Sequence, residues 1–376
     1  MKTAAFKLGG NWRRIASSGR NVGLARALIL SILFSAATHA HAGQTVAAAQ
    51  LHQDAGGYAG SLSCMKCHRE IYDSYSRTDM GGSMAQVNAS LLGQIPTSAA
   101  ILNQRFNRRF ETFVKDGSLF QSEYETAPDG RETPGETHRV DWIIGSGANG
   151  FGAIVRRENY LFEAPLSFYS KTNNWALSPG YEFADYGFTR PILPGCIQCH
   201  SGRPEVAVDG NGRFQDPPFR ELAIGCENCH GPGESHVVEM QISPEAGGGS
   251  VVNPAKLSPW LADNICMSCH QTGDARVPRP GKQYRDFRPG TILDDTFSIF
   301  LVPFRRGSTL SSTPKDDLLE HYLSMRLSQC YQNSAGKLGC ISCHDPHVQP
   351  GREEVPVYFR QKCLACHTEK SCAVPL

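Results

Sequence analysis

Cys226-Glu227-Asn228-Cys229-His230-Gly231-Pro232-Gly233-Glu234-Ser235-His236 is the stretch whose reading decides how this chain folds. Two thiols three residues apart share one helical turn and reach the two vinyl groups on one edge of a porphyrin. The His that follows then swings beneath the iron as its proximal ligand. Cys-x-x-Cys-His is the attachment signature of c-type haem. It recurs at Cys64, Cys67 and His68; at Cys196, Cys199 and His200; and at Cys266, Cys269 and His270. The last two copies are Cys340, Cys343 and His344, then Cys363, Cys366 and His367. The six motifs use twelve of the 14 cysteines. Zinc sites would group such pairs in twos without an obligatory His after each, and a redox dithiol is rarely repeated along one chain. The implied cofactor is haem c, six copies, each covalently attached.

The motifs are unevenly spread, and this sets the expected architecture. One lies at 64–68 and five fall between 196 and 367. The gap can build an ordinary core and carries strand signals. Phe110 to Val114 and Leu119 to Tyr124 flank Lys115-Asp116-Gly117-Ser118, a hairpin pattern. Val140 to Ile144, Ala153 to Arg157 and Tyr160 to Phe162 continue as short strands divided by Gly and Asn. The second half is rich in Gly and Pro, with Leu318 to Leu327 as its clearest helix. Such a segment buries little by itself, so porphyrins are expected to form its core. The expected fold is α+β with much irregular structure: a β-rich first half, then short helices and loops around stacked haems. The expected division is a signal peptide at 1–42, an N-terminal region at 43–190 and a haem-cluster region at 191–376.

Residues 1–26 carry six cations and no acid, an apolar run follows from Ala27 to Ala37, and Ala40-His41-Ala42 offers a cleavage site. The run is short of the ~20 residues a membrane span needs. Losing the six cations takes the formal net charge from +1 to −5. An acidic chain lacks the basic footprint of nucleic-acid binding. The expectation is export to the periplasm or the outer surface, no membrane span after cleavage, and redox proteins as partners.

Each iron has a sixth position, and closing it favours electron transfer over catalysis. Outside the signal and the motifs the histidines are His52, His138, His236, His321 and His347, with Met80 as the best thioether. His236 and His347 follow a proximal His on stiff Gly-Pro or Asp-Pro turns, placed to reach a neighbouring haem rather than their own. His321 sits on the expected helix, His138 precedes a strand, and His52 is near the mature terminus. Met80 follows a helix-like stretch from Arg69 to Arg77 and would reach a haem of the second half. Cys330 and Cys372 remain, an even remainder that suggests one disulfide in an oxidising compartment.

Five segments carry a resemblance to a known family. They are Cys226 to His236, Val252-Asn253-Pro254-Ala255-Lys256-Leu257, Asp286-Phe287-Arg288-Pro289-Gly290, Cys340 to His347, and the opening from Cys64 to Tyr72 with Thr78-Asp79-Met80. Together they resemble the cytochrome c-552/c-554-type multihaem family, in particular a bacterial subgroup often followed by tetratricopeptide repeats. The resemblance implies a periplasmic or outer-surface electron carrier in which His236 and His347 are axial ligands. In many relatives a His stands near the place of Met80. Relatives commonly continue beyond Ser371 to Leu376 into another motif and the repeats, whereas this chain stops at Leu376. The rival reading is a multihaem oxidoreductase with one open iron acting on a small nitrogen compound. No motif replaces its His by Lys, the marker of one class of such enzymes.

Overall fold

Residues 84–177 are dominated by strands, and the Asp116-Gly117 turn shows why. The computed structural model describes residues 57–207, 211–246, 249–271, 273–301 and 321–367. β1 (Met84–Gln86) is followed by an antiparallel sheet of β2 (Ser98–Asn103), β3 (Arg108–Lys115), β4 (Ser118–Thr126) and β5 (Glu132–Arg139), in that order. Asp116 and Gly117 take φ values of 49° and 71° between β3 and β4. Two left-handed residues match the twist of the strands they join, so the expected hairpin is present with Lys115 opposite Ser118.

The second sheet comprises β6 (Trp142–Ile144), β7 (Gly150–Arg157), β8 (Tyr160–Glu163), β9 (Leu166–Tyr169) and β10 (Asn174–Leu177), joined by β1. Its order is β1-β6-β7-β9-β10, with β8 also on β7. The strand expected from Val140 to Ile144 is broken at its start. Val140 N–H donates to Leu119 O of the first sheet and Asp141 N–H to Ile154 O of the second, so these residues form the crossing between sheets. β7 is buried on both faces. Ala153 and Val155 join a cluster with Phe110, Leu119, Phe151 and Trp175, while Ile154 joins Met84, Leu161, Ile197, Phe214 and Phe219. That is the two-residue alternation of a strand.

The rest of the chain is built from short pieces. Ribbons pair β11 (Arg203–Val206) with β12 (Phe214–Glu221), and β13 (Ala275–Pro278) with β14 (Phe297–Phe300). Apolar burial thins sharply: after Ile224 the buried hydrophobics are Ala262, Ile265, Met267, Leu293 and Phe297. The helices Glu234–Ile242, His321–Leu327, Gln329–Gln332, Cys340–Cys343 and Val355–Leu364 bury no residue at all. Helices this short are held by burying an apolar face, not by propensity, so the protein's own side chains leave this half without an adequate core. The chain is thus a mixed α+β fold with several small sheets and short helices. The helix expected from Leu318 to Leu327 is described from His321 onward. The export signal, His52 and Cys372 lie outside the described residues. Among the described residues no helix is long and apolar enough to cross a membrane.

Candidate metal centres

Three of the Cys-x-x-Cys-His motifs begin on helices of four or five residues whose starts are marked by glycine. Gly60, Gly225 and Gly339 each occupy the N-cap of a motif helix. In three motifs the His N–H donates to the carbonyl of the first Cys: His68 to Cys64 at 2.9 Å, His344 to Cys340 at 3.0 Å and His367 to Cys363 at 2.9 Å. This four-residue bond puts the first sulfur and the imidazole on one side of the turn, as a tethered, iron-ligated porphyrin requires. The thirteen described cysteines are all free thiols, and those of the motifs are the sulfurs that could form thioethers.

Two pairs of histidines face each other across a gap of metal-ligand size. The His68 and His236 rings lie 6.4 Å apart and 17° from parallel, and the His230 and His347 rings 6.0 Å apart and 8° from parallel. Two metal–imidazole bonds of about 2 Å, plus the ring radii at either end, space ring centres by about 6 Å. Each gap therefore fits one iron, and each places the distal His over a proximal His from a different motif. His230 Nδ1 lies 2.7 Å from Val252 O. A carbonyl only accepts, so Nδ1 carries the proton and Nε2 keeps its lone pair for a metal.

These pairs are assembled by side chains that sequence reasoning missed. Glu227, within the third motif, is 4% exposed. Its Oε1 accepts from Ala59 N–H at 2.8 Å and from Gly233 N–H at 2.7 Å, and its Oε2 from Gly60 N–H at 2.8 Å. One carboxylate thus clamps the start of the first motif helix and the Gly-Pro-Gly turn that leads to His236. Around it, Gly57 N–H donates to Glu234 Oε2, and Cys226 N–H donates to Ser61 Oγ. The His347 loop is fixed likewise, by Ser74 Oγ–H donating to His347 O at 2.8 Å and by a two-way pairing of Gln349 with Asp79. The signal that could have revealed Glu227 is an acid between two cysteines in an otherwise apolar and glycine-rich setting.

Burial tunes the groups toward ligation. It holds the pKa of His200, His230, His270 and His344 below the ordinary histidine value, which keeps each imidazole neutral. Cys229 is pushed up to about 12 by burial. His236 Nδ1, Ser201 Oγ and Gln271 Oε1 are buried without a hydrogen-bond partner. Each belongs to a candidate ligand or to the residue after one, and leaving such an atom unpaired costs about 1–3 kcal/mol. Polar groups beyond the chain's own are expected against them. The residues present therefore fit haem: paired imidazoles at metal spacing, free thiols beside them, orphaned polar atoms and helices that lack a protein core.

Other expected ligands are placed differently. His138 lies on β5, its ring 4.7 Å from that of Phe188, and its Nε2 is 2.7 Å from Glu136 Oε2. A carboxylate accepts, so that nitrogen carries a proton and has no lone pair to give. His138 is thus engaged through Nε2 with Glu136 in the β-sheet region, on β5. His321 is exposed at the start of its helix and is felt electrostatically by both His270 and His344. Met80 is half-buried in the turn after the helix Arg69–Tyr75, next to Asp79 and its Gln349 pairing. His367 is exposed.

No family model matches the chain, and no curated protein matches it. Among solved structures it is similar to the crystal structure of the outer cell wall cytochrome OcwA, at 18% identity and a TM-score of 0.41. The match covers 65% of this chain and 45% of that one. This chain thus spans under half the length of that cytochrome.

Proposed function

We propose that this protein is an exported multihaem c-type cytochrome that relays electrons between redox partners and carries six haems. The observation that carries the reading is the pair of facing imidazoles, His68 with His236 and His230 with His347, each beside the thiols of an attachment motif. Bound haem supplies one-electron iron chemistry; the chain supplies its tethers, its axial ligands and a dry setting. In this reading Cys64 and Cys67, Cys196 and Cys199, Cys226 and Cys229, Cys266 and Cys269, Cys340 and Cys343, and Cys363 and Cys366 hold the six porphyrins. His68, His200, His230, His270, His344 and His367 are the proximal ligands. His236 and His347 would supply the second imidazole for two of the porphyrins, His321 would serve the fourth or fifth motif, and Met80 and His52 are left for others. An iron held between two imidazoles would have no open position for a substrate, which favours transfer over catalysis. An acidic mature chain with a cleavable signal places the work outside the cytoplasm.

The test is the intact mass of the exported protein from a host with working haem attachment. The expected mass exceeds that of the mature polypeptide by six haems, and a mass showing four or fewer overturns the count.

A further inference from the structure

The attachment motifs do not meet one another in the order in which the chain presents them. The first meets the third: Cys64 and Cys226 are in side-chain contact, Cys226 N–H donates to Ser61 Oγ at 3.0 Å, and Glu227 holds Ala59 and Gly60. The helix Pro259–His270, which carries the fourth motif, is then approached from three directions. From the third motif, Tyr75 O–H donates to Ile224 O at 2.9 Å, two residues before Cys226, and its phenol stands near Cys229 of that motif and Cys269 of the fourth. From the second motif, Cys199 contacts Cys269, lies 3.9 Å from Ser268 O and 3.9 Å from the Arg276 guanidinium. From the fifth motif, Cys340 contacts Cys266, and Cys340 N–H donates to Asp263 Oδ1 at 2.7 Å. The fifth motif finally meets the sixth, with Cys343 beside Cys363 and Cys366 and the His344 ring 5.2 Å from Phe359 of the following helix.

We propose that the six sites form a forked relay, running first–third–fourth–fifth–sixth, with the second motif branching from the fourth. This rests on the haem reading above. It is supported independently by exposure: the exposed motif cysteines are Cys67, Cys196, Cys363 and Cys366, and every cysteine of the third, fourth and fifth motifs is half-buried. The three motifs that end the fork are those with an exposed cysteine. A relay in chain order would have two ends, would place the second motif between the first and third, and would not expose Cys196 as an end.

Adjacency is read by double-variant cycles on the oxidised holoprotein, with Soret circular dichroism as the signal. That signal arises from coupling between neighbouring porphyrins and does not depend on turnover. Motifs are removed by paired Cys→Ala changes, and intact mass first verifies that each variant has lost one haem; a variant that loses none counts against the haem reading, not against the fork. Contacting sites give non-additive changes and separated sites additive ones. Removing the first motif (C64A/C67A) and the second (C196A/C199A) is expected to be additive, as is removing the second and the fifth (C340A/C343A). Removing the first and the third (C226A/C229A) is expected to be non-additive. Coupling between the first and second motifs, or between the second and fifth, overturns the fork. None of these variants touches the fourth motif, so the result stands even if the central helix does not tolerate change.

Discussion

His230 shows how a single hydrogen bond prepares a ligand: its Nδ1–H is spent on Val252 O, leaving Nε2 toward His347. Replacing His236 or His347 by Ala is expected to convert one low-spin iron to high-spin in each case, read by EPR of the oxidised protein. His138→Ala is expected to leave every spin state as it was, because its ring is held by Glu136 and Phe188. Glu227 holds the two segments that carry His68 and His236 together. In Glu227→Gln one acceptor oxygen becomes a donor facing backbone N–H groups, at an expected cost of about 2–4 kcal/mol by denaturant unfolding. Glu123 behaves in the opposite sense. Burial raises its carboxyl above the usual range against the pull of Arg108, and its Oε2 has no partner. The folded state thus binds this proton more tightly than the unfolded chain. Its stabilising effect is present below the unfolded carboxylate pKa of about 4.3 and is lost as pH rises through the folded value. Glu123→Gln is expected to flatten that decline and raise the thermal midpoint at pH 7 relative to the parent. An unchanged pH profile would contradict it.

Among the elements, the β3–β4 hairpin depends on a turn that few residues tolerate. Gly117 at φ 71° sits where a β-branched side chain meets the following carbonyl. Gly117→Val is expected to cost about 1–2 kcal/mol, measured by thermal unfolding, with haem content by mass unchanged. That separation follows from placement: the hairpin packs in the cluster of Phe110, Leu119 and Trp175, and none of the motif cysteines belongs to it. The hairpin was legible because its apolar residues alternate around an Asp-Gly turn. β5 was not. It is exposed along nearly its whole length and contains Pro134 and Gly135, so neither alternation nor propensity marks it. β12 was hidden for a related reason, since Pro217 and Pro218 lie inside it.

Across the whole molecule, apolar burial is lopsided, and this divides the protein by what holds each part. Among the described residues the large buried side chains fall mostly between Met84 and Ile224, while of the α-helices from Glu234 onward only Pro259–His270 buries any residue. A chain expressed without haem attachment is therefore expected to keep a protected β-rich core and to lose order in the motif-bearing half. Limited proteolysis with mass mapping should recover a fragment that includes residues 98–177 and cut within 234–364. Equal resistance along both halves would show that protein packing alone suffices there.

Six thiol pairs of identical internal spacing, each followed by His, announce their chemistry locally, because the geometry of attachment lies within one helical turn. So does the Asp-Gly hairpin, and so does the export signal as an expectation. Which imidazole faces which is a different matter. His236 stands six residues from His230 yet opposes His68, and His347 stands three from His344 yet opposes His230. Those partners are chosen by long-range bonds, Glu227 to Ala59 and Gly60, and Ser74 to His347 O, that bridge between 167 and 273 residues of sequence. The sequence by itself determined that there are six Cys-x-x-Cys-His motifs and led to the expectation that His236 and His347 reach past their own motifs. Only the tertiary structure decided which imidazoles face each other and set His138 against Glu136 and Phe188. The physical reason is that ligand and thiol types are properties of single turns, whereas facing pairs are made by backbone groups brought together from distant segments.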